Sequence, residues 1–160
     1  MVRYVEPETS GKIMAIKFGA AQDIILALLK ASTIPNVFEA AVPAGFILPM
    51  QNNAHLPYVC MSFGGKSPVA ARSGGIVSSK DDIKRTSVTV ECVGDSPHDV
   101  RAVTEIVRDT LEGFIVDESW GELSETLAGD YAMYAPDYAL WPVRFATGIF
   151  YNAFTNATTP

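Results

Sequence analysis

Residues that usually carry reactive chemistry are scarce in this chain. Its 160 residues include two histidines and two cysteines. They form no H-E-x-x-H or C-x-x-C pattern and share no metal-ligand spacing, which argues against a zinc site. His98 falls in the first turn of a predicted helix, an ordinary surface position. His55 follows Asn52-Asn53-Ala54 and sits just before Pro57, so it reads as a loop residue with no visible partner. Cys60 and Cys92 both lie inside apolar strand patterns. Free buried thiols fit that setting better than a disulfide and point to an intracellular place of synthesis. The sequon Asn156-Ala157-Thr158 is then a chance match.

Long hydrophobic runs are also missing. None approaches the roughly 18–20 residues of a membrane-spanning helix. The opening MVRYVEPETSGK lacks the basic-then-apolar order of a signal peptide. Positive charge is in deficit, with 12 Lys and Arg against 18 Asp and Glu, for a net charge of -6. Such a chain is poorly suited to gripping nucleic acid through its phosphates.

Familiar catalytic patterns are absent too. Gly64-Gly65-Lys66-Ser67 superficially resembles a phosphate-binding loop. That motif would place its first Gly at Cys60, and Pro68 stands where the anion-binding helix should run. Asp81-Asp82 and Asp117-Glu118 are adjacent carboxylates in polar stretches and read as solvated caps or turns. There is no Gly-x-Ser-x-Gly elbow. The residues give no foothold to an enzyme and call for no cofactor or metal.

What the chain does have is apolar periodicity. Hydrophobic residues make up 48% and charged residues 19%, a globular mixture of a size that favours one domain. The clearest unit is RTSVTVECVGDSPHDVRAVTEIVRDTLEGF, Arg85 to Phe114. Val88, Val90 and Cys92 alternate with Ser87, Thr89 and Glu91, the period of a strand with one buried side. Gly94-Asp95 ends it. Ser96 then serves as N-cap, with Pro97 at N1 and Asp99 at N3. Val100, Val103, Ile106, Val107, Leu111 and Phe114 recur at helical spacing, and Gly113 occupies the C-terminal cap position.

Around this core the pattern predicts an arm over 1–12 and a domain over 13–151, followed by a flexible tail over 152–160. Within the domain an amphipathic helix is predicted near 18–32, ended by Pro35. A short strand is expected over 37–42, an irregular stretch after Pro43, and a strong strand from Tyr58 to Phe63. A further short strand is expected near 122–127. Tyr131, Tyr134 and Tyr138, interleaved with Pro136, read as an irregular packed connection. In the closing strand Trp141, Val143, Phe145, Ile149 and Tyr151 share one face, with Arg144, Ala146 and Gly148 on the other. The fold class is α+β: two main helices on a mostly antiparallel sheet, with a long β-hairpin or loop over 64–85. That loop holds too few apolar residues to bury, and loops of such length in compact domains are usually functional or disordered.

Charge is placed unevenly. Gly64 to Lys80 carries Lys66, Arg72 and Lys80 with no acid, and Lys84 and Arg85 follow just past Asp81-Asp82. From Glu105 to Asp137 nine acidic residues face only Arg108. This is either ordinary surface variation or a head-to-tail contact in which a basic loop meets a neighbour's acidic surface.

Four features in this order resemble the tail terminator (tail completion) proteins of long-tailed bacteriophages. They are the N-terminal helix, the LPYVCMSFGG strand, the long loop into RTSVTVECVGDSPHDVRAVTEIVRDTLEGF, and the closing aromatic strand. The pattern covers most of 18–151; the chain is on the long side for the family, and 131–138 has no clear counterpart in it. The resemblance implies a small subunit of a homohexameric ring, without enzymatic activity or cofactor. Such a ring caps the tail-tube protein, stops tube polymerisation and offers a surface to a head-side connector or stopper. It belongs to the virion at the head-tail junction, is assembled in the host cytoplasm, and lets DNA through its lumen without specific binding. By position, Lys66, Arg72, Lys80, Lys84 and Arg85 become interface candidates toward a neighbouring subunit or the tube. The alternatives are another neck component, a tail-tube subunit, or a small non-enzymatic binding or dimerisation domain.

Overall fold

The computed structural model describes residues 18–64, 67–68, 83–128, 132–134 and 144–156. The protein is an α+β domain in which two helices roof one face of a mostly antiparallel sheet. Helix α1 spans Phe18–Lys30. Strand β1 (Asn36–Glu39) follows, then a small hairpin of β2 (Met50–Gln51) and β3 (Ala54–His55). Next come β4 (Tyr58–Phe63), β5 (Ser67–Pro68) and the long β6 (Ile83–Gly94). Helix α2 (Pro97–Leu111) leads to β7 (Ser124–Ala128), β8 (Ala132–Tyr134) and the closing β9 (Arg144–Asn156).

The main sheet runs β1-β4-β6-β9-β7. Strand β5 also pairs with β6, and β8 with β9; among the described residues only the β1–β4 pairing is parallel. Pairing of β6 with β9 is unbroken from Ile83 opposite Asn156 to Gly94 opposite Phe145. Residues 152–156, assigned to a flexible tail by composition, therefore continue the sheet. They are held by the outgoing end of β6, a partner that local sequence does not reveal.

The expected alternation holds. Thr86, Val88, Val90 and Cys92 are buried under the helices, beside Val59 and Met61 of β4 and Ile149, Tyr151 and Ala153 of β9. Helix α1 contributes Ala21, Ile25 and Leu29 to this core, and α2 contributes Val100, Val103, Val107 and Leu111. Each valine, leucine, isoleucine or methionine side chain so buried contributes about 1.5–3 kcal/mol.

Helix α2 begins as its sequence dictates. Ser96 is extended (φ -138°, ψ 155°), and its hydroxyl accepts from the Asp99 amide at 3.2 Å. Gly94 lets the strand run directly into this turn, since a Cβ there would lie 3.0 Å from Asp99 Cβ. At the far end Gly113 takes φ +74° just past the helix, the left-handed turn that glycine allows at no steric cost. Arg108 fixes α2 to the edge strand through a two-pronged contact with Glu125, Nε to Oε2 at 2.9 Å and Nη2 to Oε1 at 3.1 Å. The one basic residue of the acidic stretch is thus already engaged.

Candidate functional site

The sheet face away from the helices is the distinctive surface, and it has two halves. Over β1 and β4 it is covered by the segment from Ala40 to Pro57. Over the outer part of β6, β9 and β7 no described segment covers it.

The covering segment leaves β1 by a sharp corner. Ala40 has φ 62°, its amide donates to the Met61 carbonyl at 2.7 Å, and Ala41 donates back to Glu39 at 2.7 Å. The chain then returns across the strands. Phe46 meets Phe38 edge-on with ring centres 5.0 Å apart, and Phe38 meets Tyr58 in the same way at 6.0 Å. Leu48 is buried, whereas Ile47 is 88% exposed, Met50 59% and Phe46 42%. These three make an apolar knob.

The hairpin that follows was not anticipated from sequence. Asn52 and Asn53 both take positive φ (51° and 61°), the requirement of a two-residue primed turn, and asparagine tolerates it best after glycine. An Asn-Asn pair between short flanks was the available signal.

This turn delivers His55 to Asp95, at the exit of β6. The Asp95 Oδ2 accepts from the His55 amide at 2.8 Å and from the ring Nδ1 at 3.0 Å. A carboxylate facing Nδ1 requires the proton on that nitrogen. His55 therefore has a definite partner, forty residues along the chain, contrary to its reading as an isolated loop residue. Arg144, opposite this junction at the start of β9, brings Nε to 3.8 Å from Asp95 Oδ1, and its guanidinium lies 5.8 Å over the Tyr58 ring. As expected it sits on the face away from the helices, but the cluster leaves it only 8% exposed. Burial pushes the Tyr58 hydroxyl up, with the Arg144 hydrogen bond and charge opposing. Chemically this is a latch: donors and charge clamp the base of the knob segment to the strand-helix junction.

Cys60 and Cys92 are free and lie on opposite faces of neighbouring strands. Burial pushes the Cys60 thiol up to about 11, aided by the nearby Glu91 charge, and pushes Cys92 up to about 12. Both stay protonated at neutral pH, so neither is a poised nucleophile. Among the described residues no group of three or more His, Cys, Asp and Glu is placed to hold a metal ion, and no helix is long and apolar enough to cross a membrane.

The open half of the face holds a groove of about 460 Å³, lined by Arg85, Thr86, Ser87, Thr89, Thr126, Phe150 and Asn152. Phe150 is 37% exposed and Phe154, further along β9, 53%. Of the five basic residues singled out from sequence, Arg85 is exposed and lines this groove. Lys84 belongs to β6, opposite Thr155 of β9 and Pro68 of β5. Lys66, Arg72 and Lys80 lie outside the described residues. Where the 64–85 stretch is described, Ser67 and Pro68 pair antiparallel with Arg85 and Lys84, the beginning of a hairpin. On the helix side Glu105, Asp109, Glu112, Glu118 and Glu122 are exposed, along the outer surface of α2 and the turn after it.

No family model matches this chain, and no curated protein matches it. One solved structure with a similar chain trace is described as the virion of a native gene transfer agent (GTA) particle. The likeness covers 82% of this chain and 84% of that one, at a TM-score of 0.44 and 16% identity. At that score and identity it says nothing of what this chain binds.

Proposed function

We propose that this protein is a structural subunit of a phage-like virion that forms a ring on the end of the tail tube. The ring ends tube polymerisation and offers the joining surface to the head side. The reading takes the protein as non-enzymatic and assigns it no cofactor.

One observation carries it. The sheet is roofed on one side, while its other side pairs an exposed apolar knob with a separate open groove. Its lateral edges are short or irregular: β1 has four residues, and β7 shifts register between Glu125 and Leu127. Short or bulged edges discourage open-ended strand addition, which is what a terminating subunit requires. Distinct surfaces on different parts of one chain suit head-to-tail association, which closes into a ring when the rotation between copies allows it. Among the described residues, the N-terminal helix, the Tyr58–Phe63 strand, the β6–α2 unit and the closing strand of that order belong to this one sheet and its two helices. The exposed carboxylates of α2 suit a lumen that does not retain DNA.

Native mass measurement, alone and with growing tail tubes, tests the proposal. The expected result is a hexamer, or a monomer that becomes a ring on the tube, with tubes then failing to elongate. A stable dimer indifferent to tail tubes overturns it and favours a small binding or dimerisation domain.

A further inference from the structure

We infer that the groove beside Phe150 is a binding site for a segment of an uncharged saccharide chain. The inference goes beyond the ring reading and does not rest on it.

The strand registers build the site. On the face away from the helices Thr89 stands directly opposite Phe150, and Ser87 directly opposite Asn152. Side chains so opposed are close neighbours, so the two rows make one polar patch beside the aromatic ring. Among the described residues no hydrogen bond engages the side chains of Ser87, Thr89 or Asn152. The Thr126 hydroxyl donates to the Phe150 carbonyl at 3.1 Å and keeps its capacity to accept. A hydroxyl both donates and accepts, and an asparagine amide sets an acceptor beside two donors. The ligand that satisfies such a set carries closely spaced groups that also do both, as the neighbouring hydroxyls of a sugar do.

Phe150 supplies the other half of the match. Its ring leans along β9 until Cε2 and Cζ come 3.5 and 3.6 Å from where a Cβ on Gly148 would stand. The residue stays 37% exposed. An apolar shelf thus lies among hydroxyl and amide groups, suited to the C–H face of a pyranose between its hydroxyl edges. The groove, at about 460 Å³, lies within the range of about 300–1,000 Å³ typical of ligand clefts.

Other occupants match less well. A wholly apolar ligand would take water from these polar groups without replacing its hydrogen bonds. For an anion or a nucleotide the lining offers one cation, Arg85, which already has an interaction of its own. Glu91 faces the same side of β6, opposite Gly148, and the chain carries a net charge of -6. Both oppose a negatively charged ligand. A peptide strand joins a sheet at a free edge. Beneath this groove β6 and β9 are paired with each other, and β9 with β7 on its far side.

The test is titration of the full chain with maltotriose, cellotriose and chitotriose, followed by amide NMR and by saturation transfer to the sugar. At least one trisaccharide is expected to bind, shifting the amides of 87–89 and 150–152 and receiving saturation at its ring C–H protons. It should bind more tightly than its own monosaccharide, and added salt should leave its affinity unchanged, as for an uncharged ligand. Thr89→Val and Asn152→Ala each remove a hydrogen-bonding group and should weaken binding about two- to tenfold. Phe150→Ala should weaken it about tenfold, whereas Phe150→Tyr, which keeps the ring, should bind as the wild type does. No binding of any of the three sugars overturns the inference. So does binding that Phe150→Ala and Asn152→Ala leave unchanged, or equal affinity for the monosaccharide. Displacement of the sugar by an equimolar single-stranded oligonucleotide overturns it as well. None of these results bears on the ring reading, which native mass measurement tests separately.

Discussion

Replacing Asp95 by alanine tests the latch directly. Its Oδ2 accepts two hydrogen bonds from His55, at 2.8 and 3.0 Å, and its other oxygen lies 3.8 Å from Arg144. Hydrogen bonds to a charged acceptor contribute about 1.5–3 kcal/mol each when buried. The side chains of His55 and Asp95 are 24% and 19% exposed, which sets the lower end, about 1 kcal/mol each after solvent screening. Arg144, with only 10% of its side chain exposed, loses an opposing charge, a further cost of about 1 kcal/mol. Asp95→Ala is therefore expected to destabilise the fold by about 3 kcal/mol. For a domain of this size that lowers Tm by about 6–12 °C. Asp95→Asn, which keeps an acceptor but not the charge, should cost about half as much. Urea unfolding followed by circular dichroism measures both, and a double-mutant cycle with His55→Ala should return a coupling of about 1 kcal/mol. Hydrogen exchange at the Leu56 amide, which donates to Pro49, should quicken in Asp95→Ala. A loss under about 0.5 kcal/mol, or a coupling of zero, refutes the latch as a stabilising contact.

Four further outcomes are expected. Tyr151→Phe should raise stability by about 1 kcal/mol, because the buried Tyr151 hydroxyl has no hydrogen-bond partner among the described residues; denaturant midpoints decide it. Ala40→Gly should stabilise by about 0.5–1 kcal/mol, the left-handed strain relieved less the added freedom of glycine in the unfolded chain, as read by thermal melting. The cysteine thiols, pushed up to about 11 and 12, favour folding as long as the unfolded thiol is protonated. That contribution is intact below about pH 9 and is lost as pH rises from there through 11 to 12. Replacing Cys92 by alanine should flatten the alkaline fall in stability measured over that window. In the native wild type a thiol reagent at pH 8 should label Cys60 ahead of the fully buried Cys92.

The sequence made the centre of the molecule legible and its working surface largely illegible. Strands β4 and β6 and helix α2 announce themselves through period and capping, because their burial is set by neighbours in the chain and by one dominant face. The His55–Asp95 latch could not be read that way, since its two halves lie in a loop and a turn with no shared pattern. Ile47 and Phe150 look like core residues in a list of apolar positions. Only the corner at Ala40 and the alternation of β9 turn them outward. Arg85 was singled out for charge alone, and its place in a groove follows from the β6–β9 pairing. The extension of β9 through Asn156 was missed because small and polar residues at a chain end carry no period of their own.

The unbroken pairing of β6 with β9 also bears on how quickly the protein becomes itself. Its nearest partners, Gly94 and Phe145, are separated by about fifty residues of chain, and its farthest, Ile83 and Asn156, by more. Closing a loop of fifty residues costs about 1.4 kcal/mol more than closing one of ten. The helix between the strands can form early, but the ladder joining the two halves of the sheet cannot zip from a tight turn. Chains dominated by such distant pairings fold in roughly milliseconds to seconds. Until the ladder closes, neither Phe150 nor Arg85 has its place in a groove, so that surface exists only once the whole sheet is complete.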